Sequence, residues 1–108
     1  MTDRKLRVSV IGCGMIANSA HIPAWQSQPG AEVVGVMDSD LARAKATAGK
    51  HAIPGVFDDV DKMLGELSPD VVSVCTPAGC HKTHAVAALR AGAHVLCEKP
   101  LAITSEEA

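Results

Sequence analysis

Short apolar runs recur along the chain, and the stretches between them carry apolar residues at helical spacing. Arg7–Ile11, Glu32–Met37, Val56–Phe57, Asp70–Cys75 and Ala93–Cys97 are brief, valine-rich and bounded by Gly, Pro or Asp, a pattern that predicts five buried strands. Met15–Gln28, Leu41–Lys50, the segment carrying Val60, Met63, Leu64 and Leu67, and His81–Ala91 predict four intervening helices. Pro23 lacks the backbone donor a helix interior needs, so the first helix is predicted to break or kink near His21 and Ile22. Ser39–Asp40 and Asp58–Asp59 read as start signals for the second and third helices, with Ser68–Pro69 and Gly92 as stops for the third and fourth. Thr76-Pro77-Ala78-Gly79 reads as a turn, and Thr104-Ser-Glu-Glu as the capped start of one more helix.

Strands that are apolar along their whole length and alternate with helices imply a parallel sheet covered on both faces. The expected fold is therefore α/β: a doubly wound parallel sheet of the Rossmann type, with strand order 3-2-1-4-5. Residues 1–108 are read as one dinucleotide-binding domain, incomplete at its C-terminal end and without a substrate domain. A last strand is expected to be missing, leaving the fifth strand's edge unpaired.

Composition narrows the partners. Hydrophobic residues make up 47% of the chain with one Phe, one Trp and no Tyr, which suits a core of Val, Ala, Leu and Ile between Ala-rich helices. The formal net charge of -2, from mixed acids and bases, offers no footprint for nucleic acid or an acidic membrane surface. The chain has neither the apolar stretch of a signal peptide nor about 18 consecutive apolar residues for a membrane span, so a cytoplasmic location is expected. Cys13, Cys75, Cys80 and Cys97 are expected to be reduced and buried. No metal site is expected: Cys75, Cys80, His81 and His84 match no standard zinc spacing. His51 and His94 read as ordinary surface or strand-end residues, and Lys62, Glu66 and Arg90 as solvated faces.

The chemistry concentrates at the strand ends. Gly12-Cys13-Gly14-Met15-Ile16-Ala17 follows the first strand and opens a helix, as a glycine-rich dinucleotide turn does. Gly12 permits the tight turn, Gly14 lets backbone approach a diphosphate, and the N–H groups of Met15, Ile16 and the helix start favour the anion. Asp38 ends the second strand, 24 residues after Gly14, where a carboxylate accepts the hydroxyls of an adenosine ribose and repels a 2′-phosphate. Neither Ser39 nor Asp40 adds positive charge, so NAD is expected over NADP. Thr76, Pro77 and His81 fall where the fourth strand meets the ligand crevice, and Glu98-Lys99-Pro100 follows the fifth strand. Lys99 could donate a proton to a carbonyl or orient an alcohol while hydride moves to or from the nicotinamide.

These residues, with His21-Ile-Pro-Ala, the run from Asp70 to Pro77, His81-Lys-Thr-His84, Ala91-Gly92 and above all Glu98-Lys99-Pro100, resemble the amino-terminal domain of the Gfo/Idh/MocA oxidoreductases. The resemblance covers nearly the whole chain. It implies a catalytic role for Lys99 on the nicotinamide ribose and the substrate hydroxyl, a positioning role for Glu98, a place along the cofactor for Thr76 and Pro77, and a cis bond before Pro100. It further implies a sugar or polyol substrate, a homo-oligomeric full-length protein, and a second α/β domain bearing the remaining substrate contacts, of which this sequence has none. Two other readings use the same residues: a non-catalytic NAD(H) sensor or interaction module, and a binder of another adenosine ligand such as S-adenosylmethionine, against which the Lys99 triplet weighs.

Overall fold

The computed structural model describes residues 5–15, 17–75 and 78–97, with backbone alone at 78–82 and 97. Five strands form one parallel sheet: β1 Leu6–Ile11, β2 Ala31–Met37, β3 Gly55–Phe57, β4 Val71–Val74 and β5 His94–Cys97. Their order is β3-β2-β1-β4-β5, as the alternating pattern predicts. Among the described residues β5 is an edge strand.

The helical elements differ more from expectation. Near His21 and Ile22, where Pro23 predicts a break or kink, a π-helical turn at Ala17–His21 gives way to α1, Ile22–Gln26. The buried members of this stretch, Ala17 and Ile22, stand five residues apart, the spacing of a wide π turn. Pro23 sits at the start of α1, where its missing N–H costs no helical hydrogen bond. Helix α2 spans Leu41–His51 and α3 Val60–Leu67, capped by Asp40 and Asp59 through side-chain oxygens that accept backbone N–H groups of the first turn. Helix α4 spans Ala78–Arg90, three residues earlier than the sequence suggests, so Ala78 and Gly79 are helical and not part of a turn. Ala78, the strongest kind of helix former, favours winding over the turn reading of the Pro-Ala-Gly triplet. Gly92, at φ 88°, ends it.

Two apolar layers cover the two faces of the sheet. On one, Val8, Val10, Val33 and Val36 pack against Ile22 of α1 and Ala44 and Ala48 of α2. On the other, Ile11, Val72 and Val74 pack against Met63 and Leu64 of α3 and Ala88 of α4. Helix α1 and the π turn leave the carboxyl end of β1 toward the first face, while α4, which follows β4, lies on the second. The crevice between those two departures is where open α/β sheets bind ligands.

Candidate functional site

At the end of β1 the backbone turns through Gly12, whose φ of 93° is open to glycine and strained for any side chain. Gly12 N–H donates to Met37 O at 2.7 Å, stitching the turn to the end of β2. Asp38 follows, only 8% exposed, and holds the turn from the side: its Oδ2 accepts Cys13 N–H at 2.9 Å. Its Oδ1 accepts Asp40 N–H at 2.9 Å, which sets the start of α2. Each carboxylate oxygen retains acceptor capacity for a further donor. A Cβ placed on Gly14 would meet nothing within 4 Å, so backbone there faces open space that a large anion can approach. Met15 beside it is 85% exposed. Beyond lies an open cleft of about 650 Å³ between the turn and α2, lined by Cys13, Gly14, Met15, Asn18, Arg43 and Lys50 among others.

The charged residues lining the cleft are the cations Arg43 and Lys50. The Arg43 guanidinium stands 3.9 Å from Asp38 Oδ2, an ion pair weakened by solvent because the arginine side chain is 57% exposed. The Cys13 thiol is buried, and desolvation pushes its pKa up to about 11, with the Asp38 charge adding to the rise and the Thr47 hydrogen bond opposing it. It is a protonated, unreactive thiol at neutral pH, donating to Met37 O at 3.6 Å. Asn18, just past the glycines, donates to both turn carbonyls.

The structure brings together Gly12, Gly14, Met15 and Asp38 as the sequence suggests. Ile16, Thr76, Pro77, Glu98 and Lys99 lie outside the described residues, and His81 is described only as backbone within α4. Their neighbours reach the same edge of the sheet: Cys75 N–H donates to Ile11 O at 2.7 Å, and Cys97 pairs in register with Val74. One expectation needs correction. His51 is not an ordinary surface residue, because its half-buried ring meets Asn18 at 3.1 Å. Beyond Ser39 and Asp40, which bring no positive charge, the first turn of α2 brings Arg43 toward Asp38. Asn18, Thr47, His51 and Arg43 all escape sequence reading; only helical spacing from the Asp40 cap could have flagged Arg43.

A larger groove of about 740 Å³, lined by Arg7, Glu32, Phe57, Lys62 and Glu66 among others, shares no residue with the glycine turn. Among the described residues no group of three His, Cys, Asp or Glu side chains is placed to hold a metal ion, and no helix is long and apolar enough to cross a membrane.

Comparison with known proteins identifies a family. Residues 6–108 match the model of the GFO_IDH_MocA oxidoreductase family, NAD-binding Rossmann fold. The chain is 45% identical over 108 residues to D-glucoside 3-dehydrogenase of Escherichia coli, covering all of this chain and 31% of that protein. It thus spans about a third of the length of the curated relatives it matches. Among solved structures it is similar to the WlbA dehydrogenase from Chromobacterium violaceum in complex with NADH and UDP-GlcNAcA, with a TM-score of 0.86 and 37% identity over 99% of this chain and 31% of that one. It is also similar to a 3-ketoreductase from Actinomadura kijaniata in complex with TDP-benzene and NADP, with a TM-score of 0.84 and 35% identity over 91% of this chain and 31% of that one.

Proposed function

This chain belongs to the Gfo/Idh/MocA oxidoreductase family through its NAD-binding Rossmann fold, and from that premise we propose that the intact protein is an NAD-dependent dehydrogenase acting on a hydroxyl group of a sugar or polyol. The observation that carries the reading is the bond from Cys13 N–H to Asp38 Oδ2, which sets a phosphate-accepting turn and a ribose-accepting carboxylate in one fixed arrangement. Gly14 leaves the turn open to the diphosphate, and the remaining lone pairs of Asp38 accept the ribose hydroxyls. When bound, the nicotinamide supplies the hydride acceptor or donor.

Oxidising a secondary alcohol takes a hydride from its carbon and a proton from its oxygen. The reading gives that proton to Lys99 and returns it in the reductive direction. Glu98, Thr76, Pro77 and His81 are assigned to the nicotinamide side of the crevice. Support comes from the edge where β1, β4 and β5 end together, and from relatives named as dehydrogenases of glucosides, inositol and glucose 6-phosphate.

NAD is proposed over NADP. A 2′-phosphate would meet the buried negative charge of Asp38, and the single exposed guanidinium of Arg43 offsets that charge without reversing it. The test is calorimetric titration of the intact protein with NADH and NADPH, alongside assays of sugars and polyols. NADH should bind at least about tenfold more tightly, a difference of ~1.4 kcal/mol. Lys99→Ala should abolish turnover while NADH binding persists. Absence of binding by either dinucleotide would sink the reading, and loss of NADH binding in Lys99→Ala would remove the assigned role.

A further inference from the structure

Asn18 connects α2 to the glycine turn, and every polar atom of its side chain is engaged. Its Nδ2 lies 2.9 Å from Gly14 O, 3.1 Å from Cys13 O and 3.1 Å from Thr47 Oγ1. Its Oδ1 lies 3.1 Å from His51 Nε2. Carbonyl oxygens only accept, so the NH2 end of the amide must face the turn; Oδ1 also only accepts, so His51 Nε2 must carry a hydrogen. Thr47, which receives the amide, also hydrogen-bonds the Cys13 thiol.

The two carbonyls held by Asn18 belong to the peptide groups that carry the N–H of Gly14 and the N–H of Met15. In a planar trans peptide the C=O and N–H point in opposite directions. Holding both carbonyls against the Asn18 amide therefore aims both N–H groups away from that amide. Successive N–H groups so aligned form a concavity for an anion.

We propose that Asn18, steadied by His51 and Thr47, is a positioning residue that orients the Gly14 and Met15 N–H groups toward a diphosphate. The inference rests on the reading of this turn as a diphosphate seat, and deepens it by naming a residue outside the glycine motif on which the seat depends. The Asn18 backbone N–H also donates to Gly14 O, at 3.1 Å, the ordinary i→i−4 bond of a helix's first turn, so what the side chain adds is its hold on Cys13 O and a second donor on Gly14 O.

The experiment titrates the intact protein with adenosine, ADP and NADH. Asn18→Ala should weaken ADP and NADH about tenfold, the scale of one net hydrogen bond, and leave adenosine unchanged. His51→Leu should weaken the same two ligands about two- to threefold, because it frees the amide without removing it. His51→Gln should restore wild-type affinity, since its amide N–H can donate to Asn18 Oδ1. Should Asn18→Ala fail to fold, as seen in its melting curve, the His51 pair still decides. Equal weakening of adenosine and ADP, or no rescue by His51→Gln, overturns the inference while the seat itself stands. A wild-type protein that binds neither ADP nor NADH overturns the seat and the inference together.

Discussion

Ser73 and Ser9 are both fully buried in neighbouring central strands, and they meet opposite faces of the sheet. Ser73 pairs in register with Val10, so it shares the face covered by α1 and α2, where its Oγ accepts Trp25 Nε1–H at 2.8 Å. Ser9 pairs with Val72 on the face covered by α3 and α4, and its Oγ has no hydrogen-bond partner. The contrast extends beyond the serines. Thr47 and Asn18 on the first face are knitted into the glycine turn, whereas the second face is an apolar layer of Met63, Leu64, Val72 and Ala88. Among the described side chains, polar pairing at the glycine turn comes from the first face, while the second presents an apolar layer beneath α3 and α4.

That division can be broken most forcefully at Met63, fully buried under the second face. Met63→Ala should cost about 2–5 kcal/mol of stability through lost burial and the cavity left behind. Urea unfolding measures the loss, and NADH affinity of the folded protein should not change; a parallel fall in affinity would show that the two faces are not separable.

The next effect belongs to Cys13 and depends on pH. Its folded pKa of about 11 lies above the ordinary 9.0, so the unfolded state releases this proton first as pH rises. Its contribution is complete below pH 9.0 and is lost between 9.0 and about 11. Over that window the wild type should lose up to ~3 kcal/mol relative to Cys13→Ala, a variant blind to this titration. Parallel unfolding curves for the two proteins across that range would refute the burial of a neutral thiol at the turn.

The smallest effect sharpens the comparison directly. Ser9→Ala removes an unpaired buried hydroxyl and should stabilise the fold by about 1 kcal/mol, while Ser73→Ala strands the Trp25 N–H and should cost about 1 kcal/mol. Thermal melts of the two variants should move in opposite directions. Movement in the same direction would mean that pairing does not distinguish the faces.

Strand positions and sheet order were legible because they follow from local periodicity and from the crossover rule, which valine runs and glycine boundaries express directly. Gly12, Gly14 and Asp38 were legible for a similar reason: each answers a backbone requirement at a strand end. The support around them was not. Asn18 meets Thr47 29 positions away and His51 33 positions away, and no local pattern encodes which polar residues a π turn and the last turns of α2 bring together. The π turn itself escaped because proline signals a break but not the wider winding before it. Ser9 and Ser73 looked alike in sequence; only their opposite faces, and the reach of Trp25, tell them apart.

Helices α2 and α3 both end on a left-handed residue that is not glycine, Ala52 at φ 57° and Ser68 at φ 44°. Each such exit carries a penalty of roughly 1 kcal/mol that a residue without a Cβ would escape. Neither residue lines the glycine-turn cleft. The molecule therefore holds unclaimed thermal tolerance at two helix exits, where an engineer could raise robustness without redesigning the ligand crevice.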